Sequence, residues 1–162
     1  GIIDVKSEPG QGATFRIYLP RTDTPAIEKQ PVRPQKKKLN GSETVLLVED
    51  EESILALGKT ILERYGYVVL ASQSPGEALR IAREHPGPIH LVITDVVMPA
   101  MNGKDMMEKL HSLKPGLKCV FMSGYTADII ADHGVLAKGI DFLQKPFSVE
   151  TQTKRVREVL DA

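Results

Sequence analysis

The sequence predicts an α/β protein: a doubly wound, five-stranded parallel sheet with helices on both faces. Two patterns carry that expectation. From Thr44 onward, apolar runs of four or five residues alternate with stretches whose apolar residues recur at helical spacing, the order expected when each strand is followed by a helix that crosses back over the sheet. The runs are also nearly continuous in apolar residues, as strands covered on both faces are.

Before that region, residues 13–19 (ATFRIYL) alternate and are rich in β-branched and aromatic side chains, which predicts a half-buried strand introduced by a turn at Gly10-Gln11-Gly12. Residues 21–42 carry Pro25, Pro31 and Pro34, the run Lys36-Lys37-Lys38 and few large apolar side chains, the composition of a linker. The strand candidates that follow are 45–48 (VLLV), 67–71 (YVVLA), 91–94 (LVIT), 119–122 (CVFM) and 140–143 (IDFL). Between the first two, Ile54, Leu57, Ile61, Leu62 and Tyr65 form one helical stripe closed by Gly66. Further helices are expected over 75–85, 102–112 and 148–160, with a shorter one near 126–133 closed by Gly134. In the last helix Val149, Val156, Val159 and Leu160 make a stripe that Gln152 and Thr153 interrupt, which predicts loose packing. The expected organisation is a piece at 1–20, a linker at 21–42 and one domain at 43–162.

The 162 residues hold 21 basic and 21 acidic side chains, a net charge of +0, and such a balance gives no basic excess for nucleic acid or a membrane surface. The zero is a sum of opposites: residues 1–42 carry eight basic and four acidic side chains, residues 43–162 thirteen and seventeen. One cysteine, Cys119, excludes an internal disulfide and fits a reducing, cytoplasmic setting, with Cys119 itself expected in the core. His85, His90, His111 and His133 lack metal-ligand spacing. No apolar run approaches the roughly 20 residues of a membrane span, and the start at Gly1 without an initiator Met is the start expected of a cut from a longer chain.

In a sheet of this kind ligands gather outside the carboxyl ends of the strands. Those ends read Glu49-Asp50, Asp95, Ser123-Gly124 and Lys145-Pro146. Singly, an acidic run is a helix N-terminus, an Asp after a strand is a cap and a Lys is solvated. Together they are a site. Three converging carboxylates repel unless a cation joins them or a pKa rises, and Mg²⁺ accepts carboxylate oxygens, a carbonyl and waters and favours sites completed by phosphate. Lys145 and the Ser123 hydroxyl would hold phosphoryl oxygens while Asp95 acts as the in-line nucleophile. The class of reaction implied is phosphoryl transfer onto an aspartate.

Through TVLLVEDEE, LVITDVVMPAMNG, VFMSGY and DFLQKPF, residues 44–162 resemble the receiver domain of two-component response regulators. The resemblance implies a flavodoxin-like strand order 2-1-3-4-5. It implies Asp95 as phosphoacceptor, Asp50 as a direct Mg²⁺ ligand, Glu49 as a ligand directly or through water, and the Val97 backbone carbonyl as another. Ser123 and Lys145 would contact the phosphoryl group, and Lys145-Pro146 would be cis. Ser123 and Phe142 would form the switch, Phe142 turning inward as the Ser123 hydroxyl moves, so that the surface around the last strand and its flanking helices changes. Val97 and Tyr125 offer the hydrolytic water little to bond to, which predicts a long-lived phosphoryl group.

Residues 1–20, through SEPGQGATF, are similar to the end of a histidine-kinase ATP-binding domain, without that family's nucleotide-binding residues. The order implies a hybrid sensor kinase. Its partners would be a histidine kinase or histidine phosphotransfer domain, with no nucleic acid or membrane contact in this fragment, and a homodimer is among the assemblies it admits. Such a receiver catalyses only its own phosphorylation and dephosphorylation. Two other readings compete: a receiver fold working by protein contact without phosphorylation, which the intact acid, Ser and Lys set disfavours, and an aspartyl phosphohydrolase, whose second Asp is replaced by Val97.

Overall fold

The structure, a computed structural model, describes residues 1–21, 39–124 and 140–162. The expected helix near 126–133, Tyr125, His133 and most of the linker lie outside these residues. The chain divides into two compact units, 1–35 and 36–162.

The first unit is a hairpin. β1 (Ile2–Glu8) pairs antiparallel with β2 (Gly12–Tyr18), Ile3 opposite Ile17, Asp4 opposite Arg16 and Val5 opposite Phe15. Directly opposed residues share a face, so Ile3, Val5, Phe15 and Ile17 form an apolar side. The other side carries the ion pairs Arg16–Asp4 at 3.8 Å and Lys6–Glu8 at 3.5 Å. The sequence predicts the second strand alone, half-buried. The structure adds β1, and every residue of both strands is exposed.

The second unit contains β3 (Thr44–Val48), α1 (Glu52–Arg64), β4 (Val68–Ser72), α2 (Pro75–Glu84), β5 (Leu91–Asp95), α3 (Gly103–Leu113), β6 (Lys118–Ser123), β7 (Phe142–Gln144) and α4 (Val149–Asp161). Its five strands are parallel in the order β4-β3-β5-β6-β7, the expected 2-1-3-4-5. Side chains alternate along each strand, so β3 sends Val45 and Leu47 to one face and Leu46 and Val48 to the other. The first face packs with Leu55 and Leu62 of α1 and Val156 and Val159 of α4. The second packs with Ala78 and Ala82 of α2 and Met106, Met107 and Leu110 of α3. With both faces buried, a strand has no polar side, which is why these runs look continuous in sequence.

Three helices begin on side-chain caps. Ser74 Oγ accepts from Glu77 N at 3.3 Å, Asn102 Oδ1 from Asp105 N at 2.8 Å and Ser148 Oγ from Thr151 N at 3.1 Å. Three expectations need correction. The inward face of α1 is Leu55, Gly58 and Leu62, while Leu57 is 61% exposed; a glycine on the buried side hid that face from a count of apolar residues. The last strand is Phe142–Gln144, not 140–143, because its ladder with β6 runs on to Ser123–Gln144. Gln152 and Thr153, read as interrupting the apolar stripe of the last helix, are themselves fully buried within it.

Residues 39–43 are fixed to this unit: Tyr67 Oη donates to Leu39 O at 3.1 Å, Gly41 N to Tyr65 O at 3.0 Å, and Arg157 pairs with Glu43 at 2.9 Å. Cys119 is partly buried against the α2 and α3 side, where desolvation pushes its thiol far above the ordinary range. Two histidines serve the backbone: His90 Nδ1 accepts from Thr44 N at 2.9 Å, and His111 Nε2 lies 2.9 Å from Leu117 O.

Candidate functional site

The parallel strands bring their carboxyl ends to one rim of the sheet, and the predicted residues meet there. Glu49 continues from β3, its N–H donating to Ser72 O at 3.1 Å, and its side chain is buried at 1% exposure. Asp95 ends β5. Asp50, beside them, is exposed. One carboxylate oxygen from each of Glu49, Asp50 and Asp95 lies within 4.8 Å of the others, the arrangement a single small cation requires.

Lys145 closes the group. Its Nζ donates to Glu49 Oε2 at 2.5 Å and to Asp95 Oδ2 at 2.8 Å. Its backbone N–H donates to Ser123 O at 2.7 Å, and the Lys145–Pro146 bond is cis. Ser123 ends β6, one step past the Met122 that pairs with Asp95, and is 2% exposed. Phe142 opens β7 opposite Phe121 and packs against the α2 and α3 side of the core, at the other end of that strand from the carboxylates.

The charges follow from this crowding. Desolvation, reinforced by the charge of Asp95, holds the Glu49 carboxyl above the usual carboxylate range despite the pull of Lys145. Burial alone would lower the Lys145 ammonium, but the hydrogen bonds and charges of Asp95 and Glu49 outweigh it and hold the ammonium above its ordinary value. The site therefore keeps a lysine charged between two acids.

Two contacts at Asp95, the Val97 N–H and Gly103, were not read from the sequence, which assigned only the carbonyl and the side chain of Val97. Val97, with its side chain 64% exposed, donates its N–H to Asp95 Oδ1 at 3.3 Å. Gly103 begins α3 with its N–H on Val96 O at 3.0 Å, and a Cβ there would run into the Asp95 carbonyl oxygen and stand 3.2 Å from Thr94 Cγ2. Only glycine lets α3 start this close behind Asp95. The signal was the Asn-Gly pair in the loop after Asp95, where Asn102 caps and Gly103 admits the strand.

A family model described as the response regulator receiver domain matches residues 45–157. The chain belongs to this family. Its receiver is a module of two-component signalling, and the residues that converge at the strand ends lie within the matched span. The chain is 38% identical to the sensor kinase CckA of Brucella abortus over 168 aligned positions, covering 99% of this chain and 18% of that protein. It is 29% identical to the aerobic respiration control sensor protein ArcB of Escherichia coli K12, covering 99% of this chain and 21% of that one. The chain thus spans about a fifth of these relatives. Among solved structures, the receiver domain of the hybrid histidine kinase CckA superposes with a TM-score of 0.62 at 33% identity, covering 72% of this chain and 98% of that one. Among the described residues, no helix is long and apolar enough to cross a membrane.

Proposed function

We propose that this receiver accepts a phosphoryl group from a phosphohistidine onto Asp95. The supporting observation is Lys145 Nζ held between Glu49 and Asp95 at the mouth of a three-carboxylate cluster. The partner that carries the phosphohistidine is a histidine kinase or a histidine phosphotransfer domain. An Asp95 carboxylate oxygen attacks phosphorus, the new O–P bond forms as the N–P bond breaks, and the electron pair returns to the donor imidazole. Glu49, Asp50, Asp95 and the Val97 carbonyl would hold Mg²⁺, a hard ion suited to that oxygen donor set. When bound it neutralises charge building on the phosphoryl oxygens.

The chain's own residues do the rest. Lys145 leaves Asp95 Oδ2 for a phosphoryl oxygen, remaining a charge within the site. The Ser123 hydroxyl donates to a second oxygen, and its movement leaves space that Phe142 turns to fill, changing the surface around β7 and α4. The exposed Val97 side chain gives an attacking water no hydrogen-bond partner, which prolongs the acyl phosphate. In the same reading, residues 1–20 are the closing hairpin of a kinase ATP-binding domain, 21–42 a linker and 43–162 the receiver. Alignment of 99% of this chain with a sensor kinase supports that order.

Intact mass after acetyl phosphate and Mg²⁺ tests the reading. The wild type is expected to gain a phosphate-sized increment and Asp95→Asn none. An increment that survives the substitution removes Asp95 from the role, and a wild type that gains none from either acetyl phosphate or a phosphorylated histidine protein favours a contact-only receiver.

A further inference from the structure

Among the described residues, the buried side-chain nitrogen and oxygen atoms without a hydrogen-bond partner are Nε2 and Oε1 of one residue, Gln152. Gln152 is 0% exposed on the inner face of α4. Its Nε2 lies over Gly58 of α1, 3.7 Å from where a Cβ would project, and that Cβ would also meet Leu47 Cδ2 at 3.0 Å. Glycine in a helix interior is unfavourable by itself; here it lets α4 press the amide close to α1 and β3. Thr153, also fully buried, turns its hydroxyl back onto its own helix, to Val149 O at 2.8 Å and Glu150 O at 3.3 Å. Val149 is 45% exposed. The first half of α4 thus presents polar groups to the core.

The second half is held differently. Val156 and Val159 are buried in the core. Arg157 pairs with Glu43 at 2.9 Å and Asp161 at 2.8 Å, and Lys118 Nζ donates to Leu160 O at 3.0 Å. A desolvated amide with neither partner is unfavourable while the helix is seated and regains its hydrogen bonds in water when it is not. The uneven seating lies close to the chemistry, because only Pro146, Phe147 and Ser148 separate Lys145 from α4.

We infer that the first two turns of α4 unseat locally from α1 while the last two stay, and that Gln152 is a positioning residue setting how often Lys145 is released from Glu49 and Asp95. The inference deepens the proposed function and rests on its assignment of Lys145 to the phosphoryl group. The unseating itself needs no phosphate. Native-state amide exchange, read by NMR on the whole chain without a phosphoryl donor, tests it directly. The amides of residues 152–155 are expected to exchange faster than those of 156–160. Gln152→Met and Gln152→Leu should slow the first group about tenfold and leave the second unchanged. Equal exchange in the two groups, or no slowing in either variant, overturns the local opening. The second measurement is the rate of phosphoryl incorporation from acetyl phosphate with Mg²⁺, with Asp95→Asn as blank. A slower rate in Gln152→Met supports the role; an unchanged rate alongside slowed exchange overturns the link to Lys145. A wild type that incorporates nothing overturns the Asp95 reading and the Lys145 role with it, while the exchange result still decides the opening.

Discussion

Lys145 Nζ stands 2.8 Å from Asp95 Oδ2, so the proposed nucleophile is itself half of an ion pair. The same ammonium reaches Glu49, which is nearly inaccessible to solvent. One cation thereby compensates two carboxylates, and anything that moves it changes both.

Removing that cation should therefore separate stability from metal binding. Lys145→Ala leaves Glu49 desolvated and unpaired, and is expected to lower the unfolding free energy in EDTA by about 2–3 kcal/mol. Without the competing ammonium, Mg²⁺ should bind roughly threefold to tenfold more tightly. Urea unfolding with and without Mg²⁺, together with a calorimetric Mg²⁺ titration, measures both. A variant equal to wild type in each contradicts the account.

The raised Glu49 carboxyl gives a pH dependence of known sign. Desolvation makes the folded protein hold this proton to higher pH than the unfolded chain does, so the folded state binds more protons as pH climbs from the usual carboxylate range. Stability contributed at Glu49 is present below the unfolded pKa and is lost as pH rises through the folded one. In EDTA, the stability of wild type relative to Glu49→Gln is expected to fall as pH rises from the ordinary carboxylate value of about 4 towards neutrality. Chemical denaturation of both proteins across that interval checks it, and a constant or growing difference counts against it.

Val97 offers a kinetic prediction. Its side chain is 64% exposed two residues from Asp95, where an amide would orient water. Val97→Asn is expected to shorten the phosphoryl lifetime about tenfold, followed as loss of the mass increment after donor removal. An unchanged lifetime discards the idea.

Arg157 joins α4 to the segment entering β3. Its contact with Glu43 at 2.9 Å is largely buried on the Arg157 side, at 13% exposure. Arg157→Ala and Glu43→Gln are each expected to cost about 1–2 kcal/mol in urea unfolding. The double variant should cost less than the two together, because both remove one interaction. Strict additivity would show that the pair is not coupled.

Much of the architecture was legible because burial on two faces leaves a strong mark: VLLV and LVIT, short apolar runs set between helical stretches, read as strands, and Glu49, Asp95 and Lys145 stand at strand ends where the chemistry collects. The misreadings have physical causes. Hydropathy counts side chains, so Gly58 could not register as the centre of a buried face, and Leu57 took its place. Gln144 closes a strand because its backbone pairs with Ser123, which its polar side chain does not advertise. Gln152 is buried by the close approach of two helices distant in sequence, a contact no local pattern encodes. The β1 strand did carry an alternating signal in Ile3, Asp4, Val5 and Lys6, but a strand recognised beside it drew the boundary one hairpin arm too late.

The anchoring of residues 39–43 beside the start of β3 also sets two ends of the domain apart. The five strands run the same way, so Glu43 lies at the rim where they begin and Glu49 at the rim where they end, about 20 Å apart along the strand. Residues 39–43 are thus held at the end of the sheet opposite the carboxylate cluster.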